Sequence, residues 1–146
     1  MKLAISPALL IAVSVQLLSQ AFKVVYYSVK AGRMQWHRFV HPAGMPSAHA
    51  AFVTALVVSI AVIHGPASDL FTLAFVFSVI VIYDTLRLRG AVQTLARIVR
   101  RLSHTLPEPE REHVPDYIGH TRSEIVVGVL IGGLWGLFWT WALSPG

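Results

Sequence analysis

Four apolar runs, separated by polar breaks marked with Gly and Pro, divide the chain. The first extends from Leu3 to Phe22 between Lys2 and Lys23, and its helical continuation is predicted to reach about Val29. The second, Ala48 to Ile63, stops at His64-Gly65-Pro66. The third, Leu70 to about Leu86, is entered through Ser68-Asp69, a capping signal. The fourth, Tyr117 to Leu143, ends in Trp135, Phe138, Trp139 and Trp141, aromatics that suit a membrane–water interface. These runs approach the about 20 residues that a spanning helix needs. Runs two and three reach that length only if their polar ends are helical, at Ser47/His49 and at Asp84/Arg87.

Between Arg87 and Leu102 the pattern changes. Leu88, Ala91/Val92, Leu95, Ile98/Val99 and Leu102 recur at helical spacing, with Arg97, Arg100 and Arg101 mainly elsewhere. This predicts a separate amphipathic helix lying in the interface. Ser103 to Asp116 combines three prolines with an acidic run and reads as a solvated loop. A rival reading of the first run as a cleavable leader has Ser19-Gln20-Ala21 as its small-residue site. Its apolar stretch exceeds the usual h-region of about 7–15 residues, which favours a retained first spanning helix.

Composition supports the membrane reading. Apolar residues make up 55% and charged residues 13% of 146 residues, against about 25% charge in soluble domains. The fold expected is therefore all-α: a single membrane-embedded domain over 1–146, a polytopic bundle of about four transmembrane helices plus one interfacial helix. Zero cysteines exclude a disulfide framework, a thiolate metal site and a Cys nucleophile. The net charge of +5 reports topology and contact with anionic headgroups rather than nucleic acid. Basic residues cluster after the first run and between the third and fourth, which places both loops in the cytoplasm.

That topology gathers the polar residues capable of chemistry at one membrane face. The turn His41 to His49 runs into a helix, and a helix start presents unpaired N–H groups and a positive dipole end. With Ser47 and His49 in the same turn, it is a candidate anion site. His120 and Glu124 stand four apart, so on a helix they share a face, and a carboxylate on one ring nitrogen raises the basicity of the other. The competing reading has Glu124 only stabilising the helix dipole. Asp84 is either a partner for Arg87 or Arg89 or part of the site. The remaining histidines lack metal-ligand spacing, so no metal and no cofactor is expected. Gly128, Gly132 and Gly136 recur every four residues, for packing within the bundle first and a homodimer second.

Pro46-Ser47-Ala48-His49 resembles the Pro-Ser-Gly-His motif of the type 2 phosphatidic acid phosphatases, a superfamily that includes vanadium haloperoxidases. His120-x-x-x-Glu124 is similar to that superfamily's His-x-x-x-Asp. With Gly44, Tyr83-Asp84 and Arg89, the pattern from about Gln20 to Gly136 resembles its small divergent bacterial and plant membrane branch. The resemblance implies metal-independent hydrolysis of a lipid or isoprenoid phosphomonoester through a phosphohistidine. In that scheme His120 is the nucleophile, Glu124 its orienting group and His49 the acid and base. Lys23, Arg38, Ser47 and Arg89 bind phosphate, while Gly44, Pro46 and Asp84 shape the site. It also implies a bacterial inner membrane, lipid partners and no nucleic acid. Three departures stand out: Ala48 replaces the motif Gly, Glu124 replaces Asp, and Val114 occupies the position of an expected Arg. The rival readings are a non-catalytic protein that binds or transports phospholipid with the same cradle, and a purely structural helical module.

Overall fold

Local signals place the helix ends in the computed structural model, which describes residues 5–40, 44–102 and 122–143, with the side chains of 88–93, 96–97 and 100–102 outside the description. Helix α1, Pro7–Ala31, has Pro in its first turn, where a missing N–H leaves no bond unmade, and stops at Gly32 with φ 63°. A short 3₁₀ turn, Trp36–Phe39, follows. Helix α2, Ala48–His64, is capped by Ser47, whose side chain accepts from the Ala50 N–H at 3.4 Å. Ser68 caps helix α3, Asp69–Leu102, accepting from the Phe71 N–H at 3.2 Å, so the capping signal read there is correct. Helix α4 runs from Arg122 to Leu143. All regular structure among the described residues is helical.

Helix α2 is the centre of the bundle, packing against α1, α3 and α4, while α1 also touches α4. Its small residues allow this: Ala48, Ala50, Ala51 and Ala55 are all essentially buried. Ile11 and Val15 of α1 meet Ala51 and Ala55, with Ile131 and Trp135 of α4 closing the cluster. Ala8, Ile60 and Ala74 form a second cluster at the other end. Polar ties join the helices: Trp135 Nε1 donates to Ser14 Oγ at 2.9 Å, and Ser78 Oγ donates to the Val53 carbonyl at 3.3 Å. Such ties contribute about 0.6 kcal/mol each in membrane bundles.

Among the described residues, three helices are long and apolar enough to cross a membrane: α1, the Asp69–Arg87 part of α3, and α4. The outer surface carries Leu73, Val76, Leu130, Leu134 and Trp141 in exposed positions, as a lipid-facing surface does. Helix α2, at 17 residues, spans about 25 Å and is the one most covered by its neighbours. The chain is a helical membrane bundle.

One expectation changes. The amphipathic stretch from Arg87 to Leu102 is not a separate helix but the unbroken continuation of α3. No Pro interrupts it, and the single Gly90 costs only about 1 kcal/mol in a helix interior. The glycine stripe of α4, read first as a packing surface within the bundle, does pack against α2 of the same chain. A Cβ at Gly128 would lie 2.5 Å from the Ser47 carbonyl oxygen, and one at Gly136 would lie 3.0 Å from the Ala55 carbonyl oxygen. That face is spent on packing inside the bundle.

Candidate anion site at the start of the central helix

The register of the helices positions the site. Along α1 and α2, which run antiparallel, Val15 packs with Ala51 and Tyr27 with Gly44. Lys23, between those two levels, therefore lies level with Ser47. Along α2 and α4, which run parallel, Gly128 meets Ser47, Gly132 meets Ala51 and Gly136 meets Ala55. Both helices thus start at the same end of the bundle. The Ser47 N–H donates to the Glu124 carbonyl oxygen at 3.0 Å, which locks the two starts together.

Lys23 is 0% exposed and heads the fully enclosed side chains. An ammonium group inside an apolar bundle is costly to desolvate, so such residues are retained for function or for a specific partner. Ser47 is also 0% exposed, and both its backbone N–H and its side-chain oxygen are engaged, with Glu124 and Ala50. It anchors two helices as well as bordering the site. His49 is half-buried with its Nδ1 enclosed, and Glu124 is half-buried in the first turn of α4. Gly44 adopts φ 110°, a region that favours glycine, and a Cβ there would sit 3.0 Å from the Tyr27 ring. Pro46 is buried and follows a cis peptide bond.

Lys23, Gly44, Pro46, Ser47, His49 and Glu124 are therefore gathered at one end of the bundle. Arg38 stands at the rim, its guanidinium 4.4 Å from the centre of the Tyr27 ring. Asp84 is exposed on α3, and the neighbouring Thr85 is the residue turned into the bundle. Arg87 is not paired with Asp84 through its Nε, which donates to Tyr83 Oη at 3.0 Å. His120 lies outside the described residues, as does Val114. Arg89 lies within α3 with its side chain outside the description. Among the described residues no cluster of His, Cys, Asp and Glu could hold a metal ion.

Two residues of this end escaped the sequence reading. Gln20 and Tyr27 flank Lys23 at three and four residues' distance, so the three share one face of α1. Gln20 Oε1 is buried and has no donor among the described residues. Tyr27 meets the Gly44 turn at the edge of its ring and Arg38 over its face. The signal that could have found them was polar residues at helical spacing in an otherwise apolar run.

The comparisons with known proteins agree on one relationship. A family model described as the divergent PAP2 family matches residues 5–135. The uncharacterized membrane protein YuiD of Bacillus subtilis (strain 168) is 26% identical over 140 residues, with 86% of each chain covered. No solved structure matches.

Proposed function

Because this membrane chain belongs to the divergent PAP2 family, we propose that it is a metal-independent phosphomonoesterase acting on a lipid or isoprenoid phosphate at the membrane interface. The observation that carries the reading is the enclosed Lys23 level with Ser47, at the point where Ser47 ties the starts of α2 and α4 together. A cation and two helix starts directed at one small region favour a phosphoryl group there. A site at helix ends beside exposed apolar faces is reached most easily by an amphiphile.

In this mechanism the imidazole of His120 attacks phosphorus as the ester oxygen departs, leaving phosphohistidine. His49 gives its proton to the departing alkoxide, then takes one from the water that cleaves the phosphorus–nitrogen bond. Glu124 orients His120 through its second ring nitrogen. Lys23 offsets the charge that grows on the equatorial oxygens. Ser47 holds the cradle in shape, and its hydroxyl hydrogen remains available to a phosphate oxygen. Arg89 is a further phosphate ligand in this scheme.

The covalent step gives the test. Purified protein mixed with phosphatidic acid labelled in its phosphate and quenched within a turnover should carry an acid-labile, base-stable label that His120→Ala lacks. Label retained in that variant, or hydrolysis with no trapped label, would exclude the phosphohistidine route. Tight lipid-phosphate binding with no release would move the reading to the phospholipid-binding rival. The excess of basic residues in the loops at this end supports a site on the cytoplasmic face of a bacterial inner membrane. Met34→Cys should then react with an impermeant maleimide only after the cell is opened, and Ala67→Cys before it; the reverse pattern would invert the topology.

A further inference from the structure

Gln20 carries an amide into the buried side of a spanning helix. Its neighbours Ser19, Lys23 and Val24 on α1 are all buried. Its Oε1 is shut off from the surface, and no donor among the described residues reaches it. An enclosed acceptor without a donor loses its hydration and gains nothing in return, whereas a methionine of the same length would lose nothing. Polar side chains held inside a membrane bundle in this way mark function more often than packing.

The register of the helices gives its depth. Gln20 precedes Lys23 by three residues, so it lies about 4.5 Å deeper in the bundle. His49 follows Ser47 by two residues on the antiparallel α2, about 3 Å deeper than Ser47. The hydrogen bond from Trp135 to Ser14 supplies a second count. From there Gln20 is about 9 Å up α1, and Gly128, which meets Ser47, is about 10 Å up α4. By both counts Gln20 lies below Lys23, at the depth of the turn from Ser47 to His49. The enclosed Nδ1 of His49 belongs to the same depth. An ionised phosphoryl group offers only acceptors, which a carboxamide oxygen repels. What suits Gln20 Oε1 is an O–H group. In the reaction proposed above, water brings two, and His49 takes only one of its hydrogens.

We propose that Gln20 holds the attacking water during hydrolysis of the phosphohistidine, its Oε1 accepting the hydrogen that His49 does not take. The water oxygen bonds to phosphorus as the phosphorus–nitrogen bond breaks, and that electron pair returns to the His120 ring. One proton goes to His49, and the other leaves on the released phosphate. This role rests on the phosphatase reading and adds a residue to its second step alone. The first step uses no water and needs no Gln20.

The experiment separates the two steps in the full-length protein in detergent, using phosphatidic acid labelled in its phosphate. Gln20→Met keeps the length of the side chain and removes the acceptor. In rapid-quench runs this variant should gain its base-stable label at the wild-type rate. It should lose that label roughly tenfold more slowly, the factor one hydrogen bond supplies. Methanol gives a second readout, because a methyl group stands where water has its other hydrogen. With methanol in the buffer, the ratio of methyl phosphate to inorganic phosphate should rise roughly tenfold in Gln20→Met. Thermal unfolding in detergent gives a third, independent of turnover. Gln20→Met should unfold at or above the wild-type temperature, since an apolar side chain replaces an unsatisfied amide. A lower unfolding temperature would make Gln20 a tie within the bundle and overturn the role. Equal slowing of both steps would make it a partner of the nucleophile and overturn the role as well. Label gained and lost at wild-type rates, or an unchanged methanol ratio, would sink the role alone. Wild-type protein that never carries label would sink the phosphatase reading, and the water-holding role with it.

Discussion

Lys23 sits where an apolar residue would stabilise a membrane bundle more cheaply, and its charge makes sense if a phosphoryl group shares the enclosure. Lys23→Met keeps the length of the stem and removes the charge. The expected result is a fall in kcat of about 10²–10³-fold, the range for losing one preorganised donor, with the helical circular dichroism spectrum retained. Unchanged turnover in that variant would assign Lys23 to structure alone. At Gly132 the constraint is purely steric, because a Cβ would lie 2.8 Å from the Ala51 Cα. Gly132→Ala should therefore destabilise the bundle by about 1–3 kcal/mol. Gly133→Ala is the control, since its Cβ would meet only the Thr54 Cγ2 at 3.9 Å and thermal unfolding in detergent should shift little.

At the scale of elements, periodicity and caps predicted most boundaries and failed where two elements had to be told from one. Ala48 as the start of α2 followed from Ser47, and the start of α3 from Ser68, because a cap is a local hydrogen bond written in adjacent residues. The supposed turn near Arg87 was a change of polarity, not of backbone preference. A helix leaving an apolar surroundings for a polar one needs no break. The chain lacks cysteine, so spin labels at Val79→Cys and Ile98→Cys, both exposed, can test this. A continuous α3 puts those backbone positions about 28 Å apart, whereas a right-angle turn at Arg87 would give about 20 Å. A single population at the shorter distance would contradict the continuous helix.

At the scale of the molecule, the convergence of helix ends was legible from chain reversal, which is why Ser47, His49 and Glu124 were grouped from the sequence. The partners that make the convergence specific were not. Nothing in the spacing of Tyr27 announces that its ring will touch both Gly44 and Arg38. The parallel seat of α4 on α2 could be read only as a glycine repeat with two possible uses. Asp84 is exposed on α3 while its neighbour Thr85 turns inward, a one-position difference in rotation that spacing alone does not fix. Such pairings belong to packing between distant segments, which a one-dimensional pattern does not carry.

The central claim is that this end of the bundle cleaves a phosphomonoester without a metal. Phosphate release from phosphatidic acid by the purified wild-type chain, measured in excess EDTA beside His120→Ala, tests it most directly. The account predicts release by the wild type undiminished by the chelator, and a loss of at least about 10³-fold in the variant, as removal of a nucleophile produces. Release no greater than that of His120→Ala, or release abolished by EDTA, would contradict it.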